Sequence, residues 1–195
     1  MITFKKTAIV AIPVIFFVLI YFGFKVRNVK KEPVSSTNPV NPVDEVKKMI
    51  KLTSPVFNEG GEIPVKYTCN GENINPPLII ENIPDKAVSL ALIVDDPDAP
   101  SGIFVHWLIW NIDPKITNIN EGQVPTESVQ GLNGVDKGSY TGPCPPSGTH
   151  RYQFKLYALD NRMNLGSNTK RADLENAMKD HILDSALLTG LYSRK

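Results

Sequence analysis

The sequence predicts a mainly β domain, a β-sandwich closed by one C-terminal helix, with a transmembrane helix in front of it. Three observations predict this. Short apolar runs separated by turn clusters recur from about residue 50 to residue 160, the pattern of packed strands. Sixteen prolines in 195 residues disfavour long helices and favour strands joined by loops. Thr7–Phe24 is an uncharged apolar run, about 27 Å long as a helix and so just able to cross a hydrocarbon core.

The N-terminal run reads TAIVAIPVIFFVLIYFGF, with Lys5 and Lys6 before it and Lys25, Arg27, Lys30 and Lys31 after it. No small-x-small cleavage site follows and the downstream flank is basic, so an uncleaved anchor fits better than a cleaved signal peptide. The heavier charge on the C-terminal flank by itself holds the domain in the cytoplasm. The short N-terminal tail and its free amine offset that count, and the expected location is a single-pass membrane protein with its domain extracytoplasmic. Glu32–Val43, EPVSSTNPVNPV, has a linker's composition. The organisation is therefore an anchor with its flanks over 1–31, a Pro-rich linker over 32–45 and one domain over 46–195.

Within the domain, Ile50–Thr53 and Pro64–Cys69 read as early strands. Leu78–Ile83 and Ala87–Val94 follow, split by Pro84-Asp85. Ile103–Ile112, IFVHWLIWNI, is apolar on both alternating faces, as a strand covered on both sides is. On that alternation His106 shares a face with Phe104, Leu108 and Trp110. Asn118–Tyr140 is polar and glycine-rich and reads as a long loop. Arg151–Leu159 alternates cleanly, with Tyr152, Phe154, Leu156 and Ala158 on one face. Lys170–Leu188 places Leu174, Ala177, Met178, Ile182 and Ala186 at helical spacing behind Asn168 or Thr169 as cap.

Composition narrows the function. Hydrophobic residues at 42% supply a core, and a net charge of +1 offers no basic face for nucleic acid. Two segments carry chemistry. Asp95–Pro100, DDPDAP, sets three carboxylates in a turn stiffened by two prolines directly after a buried strand; on spacing alone a solvated acidic turn fits it as well. Gly142–Tyr152, GPCPPSGTHRY, is a stiffened loop in which His150 and Tyr152, two apart on a strand, face one side. An imidazole, a hydroxyl and loop N–H groups together suit a small anion. His106 alone reads as a satisfied core histidine. Cys69 and Cys144 can form a disulfide or remain two buried thiols.

DDPDAP, His106-Trp107 within VHWLIWN, and GPCPPSGTHRY, in this order, resemble the phosphatidylethanolamine-binding protein family, in its bacterial and archaeal Raf-kinase-inhibitor-like branch. YTCNGENINPPL, FKLYALD and a closing helix ending in GLYSR agree with it, so the resemblance covers about residues 50–194. It implies a Greek-key β-sandwich with a small cavity for phosphate, phosphoryl head groups or similar anions. Asp96 and His106 then line one wall and Gly142, His150 and Tyr152 the other, while Asp98 and Pro100 shape the loop. On this reading Asp96 favours a charged His106 and either orients that ring and offsets its charge or meets the amine of a zwitterionic head group, while the Gly142 region supplies N–H groups and Tyr152 a hydroxyl donor. The N-terminal 43 residues fall outside the resemblance, so it implies nothing about localisation. The chain also ends soon after the closing helix, whereas mammalian relatives run on beside the pocket, and kinase inhibition is not carried over.

The expected function is a binding protein, regulatory or inhibitory and not an enzyme, with a small anionic or phosphorylated ligand, a lipid head group among the candidates, and an unidentified protein target. No cofactor and no metal is expected. Two other readings stand beside it. His106, His150 and Asp96 can compose a metal-dependent or acid–base hydrolytic site, with Ser147 or Cys144 as nucleophile by proximity alone. A protease or kinase inhibitor can act through Asn118–Tyr140.

Overall fold

A computed structural model describes residues 48–194. The Thr7–Phe24 anchor and the 32–45 linker lie outside the described residues, among which no helix is long and apolar enough to cross a membrane.

Two sheets build the domain. The smaller joins β1 (Lys51–Thr53), β3 (Leu78–Glu81) and β6 (Asn118–Ile119), all antiparallel, with β3 in the middle. The larger runs β2 (Gly61–Glu62), β9 (Ile182–Ser193), β8 (Thr149–Leu159), β4 (Ser89–Asp96), β5 (Phe104–Ile112) and β7 (Val129–Gln130) in spatial order. Among the described residues only β2 and β9 pair in parallel. One helix, α1 (Arg171–Met178), covers the outer face of the large sheet.

The core follows from the alternation. Leu52, Leu78, Ile80 and Ile119 of the small sheet pack on Leu92, Trp107, Phe154 and Leu156 of the large one. Tyr152, Phe154, Leu156 and Ala158 are all buried, as the period of two requires. On the outer face Ala91, Ile93, Leu108 and Trp110 lie under Met163, Leu174 and Met178. β4 and most of β5 are therefore buried on both sides, which is why their sequences read as continuous apolar runs.

Three elements differ from expectation. Pro64–Cys69 is not a strand. Its middle, Val65–Tyr67, is a 3-10 turn closed by the Tyr67 N–H on the Pro64 carbonyl and the Thr68 N–H on the Val65 carbonyl. The long helix over Lys170–Leu188 shrinks to Arg171–Met178, with Lys170 in the cap position and no side-chain capping bond. Past it the chain obeys a competing period of two: Leu188, Gly190 and Tyr192 turn inward while β9 pairs with β8 from Thr149↔Ser193 to Leu159↔Ile182. GLYSR thus ends a strand and not a helix. A full ladder with β8 outweighs the weak helical spacing of Ile182 and Ala186. The Asn118–Tyr140 loop contains β6 and β7, and the Gly131 N–H on the Leu108 carbonyl straps it to β5.

A β-bulge sets the orientation of His106. The β4–β5 register runs Val94↔Trp107 and then Asp95↔Val105, which leaves His106 as the extra residue. His106 and Trp107 consequently turn to the same, inner face, and Leu108 and Trp110 go to the outer one. Strict alternation, which grouped His106 with Leu108 and Trp110, fails at this bulge.

Candidate functional site

β4 lies between β5 and β8 and ends on Asp96. Antiparallel pairing sets the start of β5 on one side of Asp96 and the start of β8 on the other. His106 and His150 therefore reach the same end of the sheet. A cavity of about 260 Å³ opens there, with Asp96, His106, Gly142 and His150 in its lining and an apolar margin of Pro100, Ile103, Phe104 and Pro146. Ile103 is 50% exposed, a large apolar side chain left in water at this margin.

Asp96 and His150 form a buried pair. Asp96 Oδ2 lies 2.7 Å from His150 Nδ1, and its Oδ1 accepts the Asp98 N–H at 2.8 Å. Each oxygen thus has a donor, as a buried carboxylate requires. Asp96 was expected to orient His106; its imidazole partner is His150. Asp98 faces away and accepts from the Arg151 guanidinium at 2.6 and 2.9 Å and from the Arg151 N–H at 2.9 Å. Arg151 holds the Asp98 carboxyl down to about 2. The pair ties the DDPDAP turn to β8.

His106 is held by the backbone. Its Nδ1 lies 2.6 Å from the Thr141 carbonyl oxygen, and its ring sits between Phe104 at 4.8 Å and Tyr152 at 5.1 Å, centroid to centroid. Burial among these rings pushes the imidazole below its usual value, against the opposing pull of the Thr141 carbonyl and of Asp96. The sequence favoured a charged His106; the structure favours a neutral one. Tyr152 lies behind His106 and outside the cavity lining. Its hydroxyl is sealed beside the Cys144 backbone without a hydrogen bond of good geometry, and burial pushes the phenol up.

Gly142 borders the cavity for a different reason from the one expected. Its N–H is not free for a ligand, because it donates to Asn73 Oδ1 at 2.7 Å. A Cβ here would come 2.6 Å from the Tyr67 carbonyl oxygen and 2.8 Å from Thr68 Cα, so only glycine allows the 67–73 segment to pack this close. The same two segments are joined by the Cys69 N–H on the Pro143 carbonyl and the Tyr140 hydroxyl on the Tyr67 carbonyl. A disulfide links Cys69 and Cys144, with Cα atoms 5.4 Å apart, and Cys144 itself borders the cavity.

The structure thus brings Asp96, His106, Gly142, His150 and Pro100 to one cavity and leaves Tyr152 and Asp98 outside its lining. Sequence reasoning missed the Thr141 carbonyl, Phe104 and Asn73. Asn73 had a readable signal, since the left-handed backbone it adopts, φ 59°, is one that asparagine tolerates. Phe104 had one too, since alternation set it on the face of His106; the backbone carbonyl had none.

Chemically, the open groups include two imidazole nitrogens. Among the described residues neither His106 Nε2 nor His150 Nε2 has a protein partner, and neither is sealed from solvent. Both Asp96 oxygens accept protein N–H groups. Among the described residues no group of three His, Cys, Asp or Glu side chains is placed to hold a metal. Cys144 is in its disulfide and supplies no thiolate nucleophile.

The family model for phosphatidylethanolamine-binding protein matches residues 53–193. A UPF0098 protein of Methanothermobacter thermautotrophicus is 49% identical over 150 residues, 74% of this chain and 99% of the relative. UPF0098 protein PH1269 of Pyrococcus horikoshii is 48% identical, over 76% of this chain and 79% of its own length. Among solved structures, CT736 of Chlamydia trachomatis, a homologue of phosphatidylethanolamine-binding protein, superposes with a TM-score of 0.73 at 40% identity over 75% of this chain and 99% of its own. E. coli YbcL, a member of the mammalian PEBP family, gives 0.72 at 29% identity over 76% and 100%.

Proposed function

From the premise that the chain belongs to the phosphatidylethanolamine-binding protein family, we propose that its domain is a binding module, regulatory or inhibitory in role, whose cavity takes a small anionic or phosphorylated group. The observation that carries the reading is the pair of unpartnered imidazole nitrogens, on His106 and on His150, bordering one small cavity with an apolar margin. Polar atoms that border a cavity without a protein partner are free to meet a ligand there. The apolar margin favours a ligand with a carbon skeleton behind its polar group.

Titration calorimetry of the full-length chain with phosphate and phosphoethanolamine tests this. His150→Ala is expected to lose binding by about tenfold or more, the worth of one charge-assisted hydrogen bond. His150→Gln keeps a donor for Asp96 and is expected to fold normally while binding as weakly as His150→Ala. Unchanged affinity in both variants, with native melting curves, would remove the cavity from the function.

The anchor and the side of the membrane belong to the same proposal. Thr7–Phe24 tethers the domain, and a solvent-exposed disulfide supports an oxidising, extracytoplasmic side. Protease added to intact cells is then expected to digest the domain without lysis; protection until lysis would place it in the cytoplasm.

A further inference from the structure

The two imidazoles differ in what they can offer a ligand. The partner of His106 Nδ1 is a carbonyl oxygen, which only accepts, so the ring proton sits on Nδ1 and points away from the cavity. The ring is 3% exposed and packed between Phe104 and Tyr152, surroundings that disfavour a second proton. Its Nε2 then carries a lone pair, and this is the ring's one polar atom without a partner.

The groups packed around His106 do not change this polarity. From β4 comes Asp96, an acceptor already occupied on both oxygens, with Asp95 beyond it on the outer face. From β8 come His150, which turns its own Nδ1 to Asp96, and the sealed Tyr152 hydroxyl. From the 141–144 segment come the Thr141 carbonyl and the Gly142 N–H, and the latter is consumed by Asn73. Leaving His150 Nε2 aside, the groups around His106 therefore present an acceptor beside a carboxylate and no free donor.

We infer that His106 is a specificity residue: it accepts a hydrogen bond from the ligand, so the cavity selects a phosphoryl group that still carries a proton. That group is the monoanion of phosphate or of a phosphomonoester. Sulfate has the same size and tetrahedral shape but brings no proton, and sets lone pair against lone pair. A phosphodiester has the monoester's charge and also lacks the P–O–H. The inference rests on the cavity reading above and narrows its ligand class to one protonation state.

Four probes distinguish the outcomes in calorimetry on the full-length chain at about pH 5.5, where a phosphomonoester is mostly monoanionic. Phosphate and methyl phosphate are expected to bind about tenfold or more tightly than sulfate and dimethyl phosphate, the cost of leaving the His106 acceptor unmet once a ligand covers it. A tighter methyl phosphate than phosphate assigns the site to esters; the reverse assigns it to the free ion; both support the proton requirement. Sulfate or dimethyl phosphate within tenfold of phosphate overturns the inference and leaves the cavity reading standing. No binding of phosphate or methyl phosphate overturns both. His106→Gln, whose amide can turn an N–H to the ligand, is expected to bring sulfate to within about twofold of phosphate. A folded variant that keeps the wild-type ratio also overturns it, since a purely structural His106 would change affinity without changing that ratio.

Discussion

Replacing Cys69 and Cys144 together by serine is expected to lower the domain's stability by about 4 kcal/mol, the chain-entropy value for a closed loop of this size. The two residues are 75 apart in sequence, so the bridge removes a large share of the unfolded chain's freedom. The folded state should survive, because the 67–73 and 140–144 segments stay joined by the Cys69 N–H, the Tyr140 hydroxyl and the Asn73 side chain. Urea unfolding of the oxidised protein and the double-serine variant measures the difference. Reductant should reproduce the shift in the parent, since both cysteines are exposed. Coincident unfolding midpoints would mean that the bridge does not constrain the chain.

Lys155→Met is expected to destabilise the domain by about 3 kcal/mol, the lower end of the cost of removing one partner of a buried ion pair. Asp95 is fully buried on the outer face, and Lys155 Nζ donates to its two oxygens at 2.9 and 2.8 Å. The other cation, Arg171 Nε, stands 3.5 Å away and is engaged by Glu175. Lys155 keeps 22% of its side-chain surface in water, which places the effect at the lower end. The double variant Asp95→Asn, Lys155→Met removes the charge with its partner and should recover much of the loss, so a double-mutant cycle by thermal unfolding isolates the pair. If Lys155→Met alone shifts stability by less than about 1 kcal/mol, as an exposed pair would, the pair is not the buried interaction its geometry describes.

Asp95 and Asp96 show how far the chain could be read directly. The sequence placed both in the turn after a strand; β4 instead runs on to Asp96, and adjacent strand residues face opposite sides, so one carboxylate goes inward and one outward. Pairing decided what each would meet: His150 for Asp96, Lys155 and Arg171 for Asp95. The family motifs brought Asp96, His106, Gly142 and His150 to one cavity but gave them roles that the packing redistributed. Asp96 serves His150, the Gly142 N–H serves Asn73, and Tyr152 supports His106 from behind.

The family resemblance supplied the four motif residues at the cavity; the letters alone were enough for the mainly β fold, the inward face of β8 and the covered β5. These depend on period and on local backbone chemistry, which act over a few residues and are therefore written in consecutive letters. Tertiary structure alone decided that His106 is turned inward by a bulge, that residues 182–193 form a strand where helical spacing competed, and that His106 is an acceptor. Each depends on a partner distant in sequence: β4 opposite the bulge, β8 beside β9, and the Thr141 carbonyl 35 residues from His106. A carbonyl belongs to every residue, so no letter in the sequence marks the one that fixes an imidazole's proton.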